Sequence, residues 1–186
     1  MIKKKEEILE AVSLMGAHPV ETLDVGFDSL GVAKGILASI KAVGFINPTP
    51  IQSAVIPVAC SGKDIIGLAQ TGSGKTAAFV IPMAERLLHG KGLRGLVICP
   101  TREIALQTKA FLDLFGKHHG LASVCLIGGV RMGPQIRDLK SGPDVVVATP
   151  GRLVDHMERH NVSLKKIEEL VIDEADHMLD LGFLPQ

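Results

Sequence analysis

From Asp64 onward the chain alternates short apolar runs with longer amphipathic stretches, and no other feature narrows its possible folds as far. The runs are DIIGLA, GLVICP, ASVCLIGG, DVVVATP and ELVID, and each of the first four leads into sequence of helical period. A short apolar run bounded by turn residues is the mark of a strand buried on both faces. Strands that alternate with helices run parallel, because each helix carries the chain back across the sheet in a right-handed crossover. Composition supports the same class: hydrophobic residues make up 46% of the chain but aromatic residues only 3%, so Val, Ile, Leu and Ala must fill the core. The expected fold is therefore α/β, a parallel β-sheet with helices on both faces, and 186 residues suffice for one main domain.

The N-terminal stretch stands apart. Lys3 to Leu14 sets Ile8, Leu9 and Val12 at helical spacing before GAHPVETLDVG breaks the pattern, so residues 1–26 are expected to be an appended helix and linker, with the main domain at 27–186. Further helices are expected over Ser29–Val43, with Asp28 or Ser29 as cap and Gly44 as stop, and over Pro50–Ala59. Glu6, Glu7 and Glu10 interrupt what would have to be the apolar part of a signal peptide, and no apolar run reaches membrane-spanning length. Cys60, Cys99 and Cys125 are odd in number, far apart and without a CxxC pair, which points away from disulfides and zinc and towards a reduced, cytoplasmic setting. Lys and Arg together number 20, as do Asp and Glu; at net charge zero, any nucleic-acid site must be local.

Two motifs carry chemistry by themselves. AQTGSGKT, Ala69 to Thr76, follows the run DIIGLA and opens the helical stretch KTAAFVIPMAERLL, the strand–loop–helix context of a phosphate-binding P-loop. Thr71, Gly72, Ser73, Gly74, Lys75 and Thr76 form the candidate cradle: the glycines let backbone N–H groups turn inward, Lys75 reaches the β- and γ-phosphates, and the Thr76 hydroxyl can ligate Mg2+. Ala69 stands where the usual pattern has Gly. The second motif, LVIDEADHM, sets Asp173, Glu174 and Asp176 within four residues, a self-repelling cluster that needs a cation or a solvated helix start. A P-loop supplies the cation. Asp173 then holds Mg2+ through coordinated water, and Glu174 is the candidate base for the attacking water.

With these in place the chain closely resembles the DEAD-box family of RNA-dependent ATPases, over about Phe27 to Gln186. Phe27 is followed in order by GFINPTPIQ (Gly44 to Gln52), AQTGSGKT, PTREIALQ (Pro100 to Gln107), the pair Gly128–Gly129, TPGR (Thr149 to Arg152) and DEAD (Asp173 to Asp176). The resemblance implies a RecA-like first helicase domain that binds ATP and Mg2+. It implies adenine recognition by Phe27 and Gln52, and hydrolysis supported by Lys75, Asp173 and Glu174. It also implies RNA-backbone contacts from Pro100, Thr101, Arg102, Gly128, Gly129, Thr149, Pro150, Gly151 and Arg152.

Chemistry bears on each implied role. The Gln52 amide offers a donor and an acceptor, the pair that meets N7 and N6–H2 of adenine but not guanine. Thr149–Pro150 has the form of an N-cap followed by the first helical residue, and helix starts with a nearby Arg bind phosphate without reading bases. No aromatic residue in these motifs offers stacking, so sequence-independent binding is expected, with any preference for RNA coming from the 2′-OH. His156 and His160 share helical spacing but lack carboxylate or cysteine partners, so no metal site is expected there.

Two alternatives stay open: another P-loop NTPase, although no NKxD guanine signature occurs, and a nucleotide- and RNA-binding module without turnover. The family continues past DEAD to a Ser-Ala-Thr strand and a second RecA-like domain, whereas this sequence ends at FLPQ. By the resemblance, DIIGLA and ELVID then lack a neighbouring central strand.

Overall fold

A computed structural model describes residues 26–116 and 119–183, so the helix and linker expected over residues 1–26 lie, all but Gly26, outside the described part. Contacts gather into two compact units, one ending at Arg86 and the other beginning at Leu87. Among the described residues no helix is long and apolar enough to cross a membrane.

In the first unit a 3-10 helix, Phe27–Leu30, precedes α1 (Lys34–Ala42), α2 (Pro50–Cys60) and α3 (Lys75–Arg86). The single helix expected over Ser29–Val43 is divided, because Gly31 takes a left-handed φ of 78° that a right-handed helix cannot contain. Gly44 ends α1 as expected, with φ 90° and its N–H donated to the Lys41 carbonyl. Thr49 is the N-cap of α2, and Pro50 takes the first helical position, where the missing N–H would have had no partner. Ile36 and Ile40 of α1, Ile56 of α2 and Val80 and Ile81 of α3 are wholly buried, and α2 packs against α3. The Ala33 N–H donates to the Glu85 carboxylate at 2.9 Å, which fastens the start of α1 to the end of α3.

The strand expected at DIIGLA does not form. Residues 64–70 carry no regular secondary structure, and Ile66 and Leu68 are 95% and 93% exposed. An extended segment becomes a strand through a hydrogen-bonded neighbour, and among the described residues none pairs with this one.

The other four runs build the sheet of the second unit: β1 (Gly95–Ile98), β2 (Ser123–Leu126), β3 (Val145–Ala148) and β4 (Glu169–Ile172). All pairings are parallel and the order is β2-β3-β1-β4, with Gly95 opposite both Val145 and Glu169. The strands lead respectively into α4 (Arg102–Gly116), α5 (Met132–Lys140), α6 (Pro150–Glu158) and the short α7 (Ala175–Asp180). Leu96, Val124, Leu126, Val146, Ala148 and Leu153 close one core between these strands and α6. β3 has a neighbour on each side and is buried throughout, whereas β4 has one and leaves Leu170 and Ile172 more than half exposed.

Arg94 pins the N-terminal ends of three strands. Its N–H donates to the Asp144 carbonyl before β3, and its own carbonyl accepts from Glu168 and Glu169 at β4. The buried guanidinium donates to the carbonyls of Leu87 and His89 at 2.6 and 2.8 Å and lies 3.9 Å from the Asp144 carboxylate. Because the strands are parallel, their C-terminal ends share the opposite rim of the sheet. Every motif of the second unit lies on that rim.

Candidate functional site

In the first unit the loop before α3 turns on Gly72 and Gly74, whose φ values are 81° and 92°. Left-handed glycines at this spacing fold successive N–H groups towards one side, the geometry of an anion nest. Lys75 Nζ donates to the Ala69 carbonyl at 2.7 Å, so the cation bends back over the loop. The hydroxyl oxygen of Ser73 is buried without a hydrogen-bond partner among the described residues. Such an orphaned group wants a polar partner, and a phosphate oxygen suits it.

Gln52 is joined to this loop. It is 3% exposed; its Oε1 accepts from the Thr49 N–H at 3.0 Å and its Nε2 donates to the Gly74 carbonyl at 3.1 Å. A Cβ at Gly74 would stand 2.5 Å from Gln52 Nε2, so glycine is required there both for its φ and for the approach of this amide. Phe27 is 4% exposed and stacks on Phe45, ring centroids 6.3 Å apart. Gln52, Gly74 and Lys75 are thus brought together, while Phe27 is packed against a second aromatic. The donor set near the loop (Thr49, Ser73 and Thr76 hydroxyls, one ammonium) suits a phosphate with a hard, water-carrying cation such as Mg2+.

In the second unit the motifs follow the sheet and not the chain. Gly128–Gly129 comes after β2, Thr149–Arg152 after β3, Pro100–Arg102 after β1 and Asp173–Asp176 after β4. Thr101 Oγ1 accepts from the Ile104 N–H at 3.3 Å and caps α4. Thr149 is the N-cap of α6 with Pro150 first in the helix, yet its hydroxyl makes no capping bond. Arg102 is exposed and lies against Gly129 (φ 72°), where a Cβ would collide with its guanidinium. Arg152 is mostly buried; its Nη1 donates to the Val130 carbonyl at 2.9 Å and its Nε lies 3.6 Å from Asp155. Arg152 therefore ties this loop to α6, while Arg102, at the start of α4, lies beside it and faces solvent.

At the acidic end the Asp173 N–H donates to the Ile98 carbonyl at 2.9 Å, extending the β1–β4 pairing by one residue. Glu174 adopts φ 50°, ψ 51°, a left-handed backbone that costs a side-chain-bearing residue about 1–3 kcal/mol and that concentrates at functional sites. Its carboxylate lies 3.4 Å from His177 Nδ1, and Asp176 accepts from the His177 N–H at 3.0 Å. Burial pushes the thiol of nearby Cys99 up to about 12, against the pull of a hydrogen bond to Thr108, and the carboxylates of Asp173 and Glu174 add to the rise.

Sequence reasoning missed Gln135, Arg94 and the burial of His156. All three are polar residues at less than a tenth of full exposure, and neither ring nitrogen of His156 has a partner among the described residues. Nothing in MGPQIRDLK separates Gln135 from its polar neighbours, since α5 buries that residue alone.

Comparison with known proteins adds four findings. The model of the DEAD/DEAH box helicase family matches residues 49–186. The ATP-dependent rRNA helicase RRP3 of Debaryomyces hansenii is 47% identical over 184 residues, covering 98% of this chain and 39% of that protein. DEAD-box ATP-dependent RNA helicase 20 of Arabidopsis thaliana is 46% identical over 175 residues, covering 90% of this chain and 34% of that protein. A crystal structure of a DEAD box protein from the hyperthermophile Methanococcus jannaschii matches with a TM-score of 0.82 at 38% identity, over 86% of this chain and 44% of that one. The chain thus spans well under half the length of the curated relatives it matches.

Proposed function

The chain belongs to the DEAD/DEAH box helicase family and has a RecA-like α/β fold, and from that premise we propose that it is the ATP-, Mg2+- and RNA-binding first domain of an ATP-dependent RNA helicase. The observation that carries this is the bond from Gln52 to Gly74, which fastens the candidate adenine reader to the candidate phosphate loop. A glutamine amide has two donor hydrogens and two acceptor lone pairs. Gly74 and Thr49 take one of each. The remaining donor and acceptor match N7 and N6–H2 of adenine, whereas guanine offers acceptors at both positions.

In this proposal Lys75 leaves the Ala69 carbonyl for the β- and γ-phosphates. Thr76, and Asp173 through water, are the residues to hold Mg2+, which when bound offsets charge developing on the phosphate oxygens. Glu174 orients the attacking water and takes its proton. Arg102, the Gly128–Gly129 loop and the start of α6 contact RNA phosphates and sugars without regard to base sequence. By the resemblance, the intact activity needs a second RecA-like domain to complete the RNA clamp and to supply arginines to the γ-phosphate.

Titration with a fluorescent ATP analogue, followed by phosphate-release assays with and without single-stranded RNA, tests the proposal. Lys75→Ala removes a charge-assisted contact worth about 1.5–3 kcal/mol and should weaken ATP roughly ten- to a hundredfold. Glu174→Gln should bind ATP as before and lose turnover. Gln52→Ala should lose preference for ATP over GTP more than it loses phosphate affinity. Unchanged affinity in Lys75→Ala would sink the proposal, and normal binding with no turnover under any condition would leave a nucleotide-binding module in its place.

A further inference from the structure

The Gly128–Gly129 loop is held by a residue outside every motif. Gln135 is the buried residue of α5, 3% exposed, and its carboxamide turns back to Ile127, the first residue after β2. The Ile127 N–H donates to Gln135 Oε1 at 3.1 Å, and Gln135 Nε2 donates to the Ile127 carbonyl at 3.2 Å. One side chain thus pairs with both backbone groups of one residue, as an adjoining strand does, at the point where β2 ends. Nε2 also lies 3.5 Å from the Arg131 carbonyl, so both ends of the segment 127–131 are tied to the same amide.

That segment is where two motifs meet. Gly129 lies against the Arg102 guanidinium, and the Val130 carbonyl receives Arg152 Nη1. Neither contact survives a change in the path of residues 127–131. We propose that Gln135 is the positioning residue of the candidate RNA-backbone site: its amide sets the loop conformation that orients Arg102 and Arg152. The inference rests on the RNA-binding role given to this rim. Other side chains do not replace it: Leu offers no hydrogen bond, Glu lacks the donor for the Ile127 carbonyl, and Asn is one methylene short of the reach.

Gln135→Leu keeps the approximate volume and removes the bonds. Amide hydrogen exchange at Ile127–Arg131 should quicken at least about tenfold while Val97 and Val147, in β1 and β3, keep their protection. Affinity of the chain for a fluorescein-labelled oligouridylate at low salt should fall about five- to tenfold, with affinity for a fluorescent ATP analogue unchanged. Gly129→Ala, which strains the same loop and collides with Arg102, should give a similar loss, and the double variant should lose no more than the larger single loss. Additive losses, unchanged loop exchange, or loss of protection at Val97 and Val147 in Gln135→Leu would each overturn the inference, the last by making Gln135 merely structural. RNA affinity of the parent chain that Gln135→Leu leaves untouched sinks the inference alone. A parent chain that binds no RNA sinks the RNA-binding role of the rim, and with it the use given to this loop.

Discussion

Two apolar runs of similar composition meet opposite ends in this molecule. Val145–Ala148 has a strand on each side and is fully buried, whereas residues 64–69 pair with nothing among the described residues and leave Ile66 and Leu68 almost wholly exposed. β4 stands between them, with one neighbour and with Leu170 and Ile172 at 56% and 54% exposure. Across these three runs burial follows the number of hydrogen-bonded neighbours and not hydrophobicity; β2, also with one neighbour, keeps Val124 and Leu126 buried through its packing against α4 and α5. The reason is that backbone N–H and C=O groups must be satisfied before a run can leave water, and along a whole run a neighbouring strand is what satisfies them.

The comparison breaks hardest at Val146. Val146→Asp puts an uncompensated charge where exposure is 0%, and the loss, several kcal/mol or more, is comparable with the roughly 5–15 kcal/mol that holds a domain folded. No cooperative thermal transition should remain by circular dichroism; a melt like the parent's would show that β3 is not buried between two strands. Arg94→Ala attacks the ends of the same strands. It leaves the Leu87 and His89 carbonyls and the Asp144 carboxylate without their cation, and a loss of about 2–3 kcal/mol in urea unfolding is expected; Glu168, well exposed, contributes little to it.

A smaller effect separates the buried side of the sheet by pH. Burial, and after it the nearby Arg152, lowers the His156 pKa below 6.5, so the unfolded chain takes up a proton before the folded one does. The stability tied to this residue is intact above about pH 6.5 and falls as pH drops through 6 towards the depressed value. His156→Phe should therefore shrink the decline in urea midpoint between about pH 7 and 5; an unaltered decline would assign it to other groups. The smallest effect is expected at the unpaired run. Ile66→Lys should change stability by no more than about 0.5 kcal/mol, the range of ordinary surface substitutions, and a loss above about 2 kcal/mol would mean that the run has a partner.

These contrasts also mark what was legible beforehand. GLVICP, ASVCLIGG, DVVVATP and ELVID each became a strand, and Pro50 and Thr149–Pro150 each became a helix start, because turn residues and the fixed φ of proline act over a few neighbouring positions. DIIGLA carried the same local signal and failed as a strand, since no pairing completes it among the described residues. Gly31 was unremarkable within a helical period until its left-handed φ broke the helix.

The sequence by itself determined the class of sheet and the residue types of the candidate loops. A candidate phosphate loop needs glycines, a lysine and a hydroxyl within a few residues, and Gly72, Gly74, Lys75 and Thr76 are readable wherever the loop lies. Only the tertiary structure decided which loops are neighbours. The order β2-β3-β1-β4 sets the Gly128–Gly129 loop beside Thr149–Arg152 and gives Arg152 the Val130 carbonyl, twenty-two positions away in the chain. It likewise turned Gln135 and Arg94 from ordinary polar residues into the fastenings at opposite ends of the sheet. A hydrogen bond between distant segments depends on packing that no local window of residues contains, so these roles exist only in the folded chain.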